Sequence, residues 1–230
     1  PIHEINEINE KYFTNAINSI NAQIVKPDEV LIIAKSDETL LKFLSDFNYG
    51  EIGNNVRIIE NTGNSDVCSQ INLGVSQVKT EWFSFLEFDD EYSSIWFKNV
   101  LKFSESYPDV QVFLPIVVDV DQNTKFAGFT NEATFAANFT PEMGILTNET
   151  LMEYQNFQIS GMVIKKDTFI DFGLLKPSFK LTFGYELFLR LTYNSVRIMS
   201  IPRIGYKHMN LREGSIFWNY KNGSQPKRNQ

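Results

Sequence analysis

Helix-like and strand-like segments alternate through the first half of this 230-residue chain, and that alternation restricts its fold more than any other feature. Residues 5–21 carry Ile8, Tyr12, Phe13, Ile17 and Ile20 at helical spacing. Residues 29–34 are a short apolar run behind the Pro27-Asp28 turn. Ser36 stands where a helix cap belongs, with Asp37 and Glu38 in the favourable first turn and Leu40, Leu41, Leu44 and Phe47 on one face. A second apolar run, residues 56–59, follows a loop rich in Gly and Asn. Val67, Ile71, Val75 and Val78 again recur at helical spacing. Residues 82–86 then read as a buried strand, residues 93–105 as a helix and residues 110–118 as a further strand. Repeated units of this kind predict an α/β fold with a mostly parallel central sheet flanked by helices.

The second half is less regular. Residues 119–155 are rich in Asn, Thr, Phe and Gly and are too long for a bare connection, so they should hold short elements or a binding loop. Residues 157–165 read as a strand, residues 183–193 as a helix, and residues 196–201 as a strand stopped by Pro202. No internal repeat or linker divides the chain. We therefore expect one domain over residues 1–215 and a polar tail over 216–230.

Composition narrows the function. A formal charge of -7 argues against a nucleic-acid partner. The single Cys68 excludes an internal disulfide and suits a reducing, cytoplasmic setting. No apolar run approaches the roughly 20 residues that span a bilayer. Nothing in the sequence speaks to oligomeric state.

The chemistry concentrates in one place. Trp82-Phe83-Ser84-Phe85-Leu86 runs directly into Glu87-Phe88-Asp89-Asp90-Glu91. Ionised carboxylates packed this closely repel one another and persist only on a solvated surface or around a cation. Their hard oxygen ligands suit Mg²⁺ or Mn²⁺, ions that often bridge a protein to a diphosphate. The end of a strand is also where open α/β sheets bind ligands.

Several pieces, in order, resemble the family 2 glycosyltransferases. They are Ser19 and Gln23 on the first helix, Pro27-Asp28-Glu29-Val30-Leu31-Ile32-Ile33, Asn61-Thr62-Gly63, Asn72-Leu73-Gly74 and residues 82–90. Further on come Ile159-Ser160-Gly161-Met162-Val163-Ile164-Lys165-Lys166, Phe172-Gly173-Leu174 and Tyr185-Glu186-Leu187-Phe188-Leu189-Arg190. The resemblance implies a GT-A fold, with a nucleotide-binding half over about residues 1–120 and an acceptor half over about residues 121–215. It also implies transfer of a sugar from a nucleotide-diphosphate sugar to a hydroxyl of a glycan or related acceptor.

Site residues follow from the same resemblance. Glu87-Phe88-Asp89 takes the place of the family's metal-binding DxD motif, with Glu87 and Asp89 on the cation or donor. Asp90 is either a metal neighbour or a brace for the following loop. His208, in the closing segment Tyr206-Lys207-His208, is a candidate metal ligand, and Lys207 and Arg212 are candidate clamps on the diphosphate. Pro1-Ile2-His3 corresponds to a loop that touches the base, which would put the family's first strand upstream of this sequence. Asn61, Gly63 and Asn72 fall where the family shapes the nucleotide pocket. The family's base-binding acids are replaced by Ala34 and Lys35, leaving Asp37 as a substitute or simply a helix-start acid. The catalytic base of inverting members falls on Gly184, counted back from Arg190, so Glu186 and the upstream Asp171 are the candidates that remain. A retaining mechanism or a non-catalytic binding module would also meet that gap. Phe126, Phe129, Phe135 and Phe139 are candidates to stack on acceptor sugars, core packing being their plainer use.

Overall fold

The structure is a computed structural model that describes residues 1–135, 141–210, 212, 213, 215 and 218–220. Asn6 caps helix α1 (Glu7–Asn21), its side chain accepting the N–H groups of Ile8 and Asn9. Phe13, Ile17 and Ile20 bury along one face, while Ile8 stays exposed. Strand β1 (Val30–Lys35) pairs in parallel with β2 (Val56–Asn61), from Val30 opposite Val56 to Lys35 opposite Asn61. The helix between them, α2 (Glu38–Asp46), is capped by Asp37 rather than Ser36: Asp37 accepts the Leu40 N–H at 2.9 Å, and Ser36 bonds to Glu60. Asp66 likewise caps α3 (Val67–Gln77), which leads into β3 (Trp82–Ser84).

The remaining strands build a second sheet on two long members. These are β5 (Val112–Val120) and β9 (Ile198–Met209), which run parallel. Their partners are β3, β4 (Glu91–Tyr92), β6 (Phe126–Thr130), β7 (Ile145–Leu146) and β8 (Val163–Lys165), giving the order β3-β8-β5-β9-β4 with β6 on β5 and β7 on β9. Parallel pairing thus holds for β1–β2 and β5–β9, whereas β3–β8, β5–β8, β5–β6, β4–β9 and β7–β9 are antiparallel. The larger sheet is mixed because its short strands β3, β4, β6, β7 and β8 all pair antiparallel, and only the two long strands pair in parallel. Residues 119–155 do hold short elements, among them β6, β7 and α5 (Asn148–Glu153).

Two expected strands differ most from their predicted bounds. Of residues 157–165 only β8 is extended, because Gly161 turns the chain at φ +72°. A Cβ on Gly161 would lie 2.6 Å from the Tyr206 ring, so no other residue fits this turn without displacing a core side chain. The last strand continues through Pro202 to Met209. Pairing passes from Leu114–Ser200 to Ile116–Ile204, so Pro115 and Pro202 both fall in the irregular stretch where a missing N–H costs no ladder bond.

Helices cover both faces. Val112 and Leu114 of β5 enter one core with Ile71 and Val75 of α3, Leu151 of α5, Phe169 of α6 (Lys166–Asp171) and Leu187 and Leu191 of α7 (Phe183–Tyr193). Phe113 and Val117 enter the other with α1, α2 and Trp96 and Val100 of α4 (Trp96–Ser106). Each of the large side chains buried here contributes roughly 1.5–3 kcal/mol. Among the described residues, no helix is long and apolar enough to cross a membrane.

Candidate active site

Residues 85–90 leave the end of β3 as a loop pinned to β9. The Asp90 N–H closes a turn on the Glu87 carbonyl at 3.2 Å, and the Glu87 N–H donates to the Tyr206 hydroxyl at 3.2 Å. Glu91 and Tyr92 then pair with Lys207 and Tyr206, which brings the loop alongside His208. Lys207 forms an ion pair with Glu91.

Asp90 is the pivot of the arrangement. It is buried, and both its oxygens are engaged: Oδ1 accepts the Met209 N–H at 2.7 Å, and Oδ2 meets His208 Nδ1 at 3.0 Å. One ligand atom each from Glu87, Asp90 and His208 lies within 4.8 Å of the others. Two carboxylates and an imidazole suit a divalent ion such as Mn²⁺, so the residues fit the cation that the sequence implies. The bond to Asp90 orients the ring through Nδ1 and leaves Nε2 for a ligand.

The electrostatics are those of crowded acids out of water. Burial, then Asp90, push the Glu87 carboxyl up to about 7. Burial and Asp90 also raise Asp89, against the lowering pull of Arg212. Burial by itself would lower the His208 imidazole, but Asp90, Glu87 and Asp119 outweigh it and raise it to about 10. A proton on His208 therefore supplies part of the positive charge that these acids require.

Asp119 does not stand out in the sequence. It sits on β5 directly opposite His208, is buried, and has its carboxyl raised by that burial. The available signal was an acid in the otherwise apolar run Val117-Val118-Asp119-Val120. Ser160 adds a hydroxyl 3.5 Å from Glu87. Arg212 pairs with Asp89 and lies over the Phe88 ring, 5.0 Å from its centroid.

The structure thus gathers Glu87, Asp89, Asp90, His208 and Arg212, and sets Pro1 beside Glu87 on the wall of a shared cavity. His3 lies elsewhere on that side, its Nε2 3.0 Å from Gln70 Nε2. Asn61 builds an Asx turn, accepting the Gly63 N–H at 2.9 Å and donating to the Asn64 carbonyl. Asn72 fastens α3 to the Leu175 backbone through both halves of its amide. Asp171 is exposed at the end of α6. Glu186 gives both oxygens to Arg190, at 2.7 and 2.8 Å, and Arg190 also holds the carbonyls of Phe172 and Leu174. At Gly184 a Cβ would come within 2.8 Å of Ile159, so that place is already filled by the core. Of the four phenylalanines, Phe126 and Phe129 are exposed and in contact at 4.9 Å between ring centroids. Phe135 is buried and cannot offer its face to a sugar; Phe139 lies outside the described residues.

The model for the family described as "Glycosyl transferase family 2" matches residues 5–164. The chain belongs to that family. The matched stretch takes in the carboxylate loop and ends before α7 and β9, so His208, Arg212 and the helix with Gly184 lie beyond the family's matching part. No curated protein sequence matches the chain. Among solved structures, S. aureus TarS 1-349 in complex with UDP-GlcNAc is similar at 18% identity and a TM-score of 0.68, over 94% of this chain and 59% of that one. The same TarS segment in complex with UDP gives 18% identity and a TM-score of 0.65, over 90% of this chain and 59% of that one. A longer TarS structure gives 16% identity and 0.65, over 95% of this chain and 37% of that one. These likenesses show the GT-A fold of a family 2 member, and this chain spans less than two thirds of the TarS chains it matches.

Proposed function

We propose that this chain is a glycosyltransferase that takes a sugar from a nucleotide-diphosphate sugar, with uridine as its nucleoside, and delivers it to a hydroxyl of a glycan or related acceptor. The observation that carries this reading is the buried group of Glu87, Asp90 and His208 at the end of β3 in a family 2 fold. The uridine assignment is supported by the TarS structures solved with UDP and UDP-GlcNAc.

Glu87, Asp90 and His208 would hold a divalent cation, Mn²⁺ or Mg²⁺, with Asp89 next to it. When bound, such an ion neutralises charge on the diphosphate leaving group. The chain's own residues do the rest. Asp90 fixes the His208 ring and ties the loop to β9. Tyr206 holds the Glu87 backbone. Arg212 carries a planar guanidinium next to the carboxylates and can exchange Asp89 for a diphosphate oxygen pair. Glu186 can take the acceptor's proton only by giving up Arg190. A cytoplasmic place of action, suggested by the lone Cys68, belongs to the same proposal.

Calorimetric titration of UDP-GlcNAc with and without Mn²⁺ tests this reading. We expect binding that requires the ion and is lost in Glu87→Ala. Equal binding without any ion, or in Glu87→Ala, would overturn the cation assignment. A second reading, a nucleotide-sugar or glycan-binding module without catalysis, draws on Gly184 and the Ile159 methyl packed against it. It predicts donor binding with neither transfer nor donor hydrolysis.

A further inference from the structure

Three strands of the larger sheet set one row of residues side by side. Gly128 of β6 stands opposite Asp119 of β5, and Asp119 stands opposite His208 of β9. Residues paired across neighbouring strands face the same side of a sheet. Gly128, Asp119 and His208 therefore share the face that carries the carboxylate loop, which meets His208 through Asp90. Thr130, Val117 and Tyr206 form the row behind them. Two strand spacings, about 10 Å, separate the Cα positions of Gly128 and His208.

The fold does not require glycine at position 128. It lies within a strand, and a Cβ added there would meet nothing within 4 Å. A Cβ on Gly205 of β9, by contrast, would lie 2.4 Å from the Trp96 ring. Gly205 makes room for a neighbouring side chain, whereas Gly128 leaves open space over the sheet beside Asp119.

Polar groups border this space. Asp119 is buried and takes a hydrogen bond from Gln158. A carboxylate has about four acceptor positions, so that bond leaves capacity for hydroxyl donors. The Gln158 amide is committed elsewhere, its Nε2 donating to the Thr130 hydroxyl and its Oε1 accepting the Ser160 hydroxyl at 3.2 Å. The Gln158 backbone N–H donates to Oδ1 of the buried Asn131 at 2.8 Å, which fixes this border. Besides the burial that raises its carboxyl, Asp119 has His208 as a positive neighbour and Asp90 and Glu132 as negative ones.

We propose, taking the chain to be a glycosyltransferase, that the space over Gly128 seats one ring of the acceptor and selects an uncharged, hydroxyl-rich ring. In that reading the donor's diphosphate is held at the His208 end of the row, and Gly128 lies at the other end. Ring hydroxyls donate to the spare acceptor positions of Asp119, while the bare Gly128 backbone lets the ring approach the sheet. A ring carrying phosphate or carboxylate would bring its charge against Asp119 and Glu132, a repulsion that rejects it. Gly128 thus selects by size and Asp119 by charge.

The test titrates wild type, Gly128→Ala and Gly128→Leu with the methyl glycosides of glucose, galactose and N-acetylglucosamine, and with glucose 6-phosphate. Each titration is run with and without UDP and Mg²⁺, and NMR follows the backbone amides of residues 128 and 130. We expect at least one neutral glycoside to shift these signals in wild type and glucose 6-phosphate to shift neither. Gly128→Leu should weaken glycoside binding by at least about tenfold at an unchanged urea midpoint, with Gly128→Ala in between. No shift with any neutral glycoside, equal binding of glucose 6-phosphate, or unchanged affinity in Gly128→Leu would overturn the proposal. UDP-GlcNAc should bind Gly128→Leu as it binds wild type; a loss of about tenfold or more would put the donor's own sugar over Gly128 and overturn the acceptor assignment. Should Gly128→Leu not fold, Asp119→Asn decides: weaker glycoside binding with a narrowed gap to glucose 6-phosphate supports the subsite, and no change in either refutes it. Failure of wild type to bind UDP-GlcNAc would remove the transferase reading, whereas failure of the glycosides alone would remove only this subsite.

Discussion

The carboxylate loop and helix α7 each place an acid beside a base, yet they put the charges to opposite uses. On α7, Glu186 and Arg190 are one turn apart, with both carboxylate oxygens on one guanidinium and the remaining donors on backbone carbonyls. Every charge there has its partner. At the loop, Glu87, Asp89, Asp90 and Asp119 surround one imidazole and one guanidinium, and three of the four have carboxyls raised by burial. The excess of acid over base is what the proposed cation would offset. Perturbed, incompletely compensated groups point to a site, whereas closed pairs point to scaffolding.

The largest way to break this contrast is Asp90→Ala. It strips the partner from His208 and the acceptor from the Met209 N–H inside the protein, so urea denaturation should show a loss of about 3–5 kcal/mol. Asp90→Asn, which can still accept from Met209, should lose less. Equal stability of wild type and Asp90→Ala would mean that the loop is not held by this residue.

Next comes pH. Folded Glu87 keeps its proton up to about 7, whereas the unfolded chain releases it near the ordinary carboxylate value. The folded state thus binds more protons in between, and stability without metal should fall as pH rises from about 4.5 to 7, by on the order of 2–3 kcal/mol. His208, raised to about 10, acts in the same direction at higher pH: its contribution is complete below about 6.5 and lost as pH passes 10. Glu87→Gln should flatten the acid-side slope, and Mn²⁺ should reverse it by favouring the ionised carboxylate. A slope unaffected by Glu87→Gln would remove this residue as its source.

The smallest effect belongs to α7. Glu186→Gln should cost about 1–2 kcal/mol through the partly buried pair and the charge left on Arg190, with donor affinity unchanged. If transfer vanishes while stability and donor binding stay as in wild type, Glu186 is the base and the pair opens during the reaction.

Local pattern made much of this legible. The spacing of Phe13, Ile17 and Ile20, the run before Lys35 and the helix over 183–193 all appear as the residues suggested, because one buried face writes itself into the sequence. Strand direction was less visible. β5 and β9 look alike in sequence whether their neighbours run up or down, and only the chain's path determines that. Pro202 reads as a strand end until Pro115 is seen beside it in the same irregular stretch. In the site, Glu87, Asp89 and Asp90 announce themselves as a run. Asp119 does not, since one acid in an apolar strand acquires meaning only when His208 arrives opposite it.

The bond between Asp90 and His208 joins positions 118 residues apart in the chain. Such a contact forms late, since closing a long loop costs entropy before the contact repays it. During synthesis, the loop and its acids emerge from the ribosome well before β9. The nascent protein must then carry a cluster of acids with neither His208 nor Arg212 to offset them, and the proposed cation site is complete only after His208 has emerged.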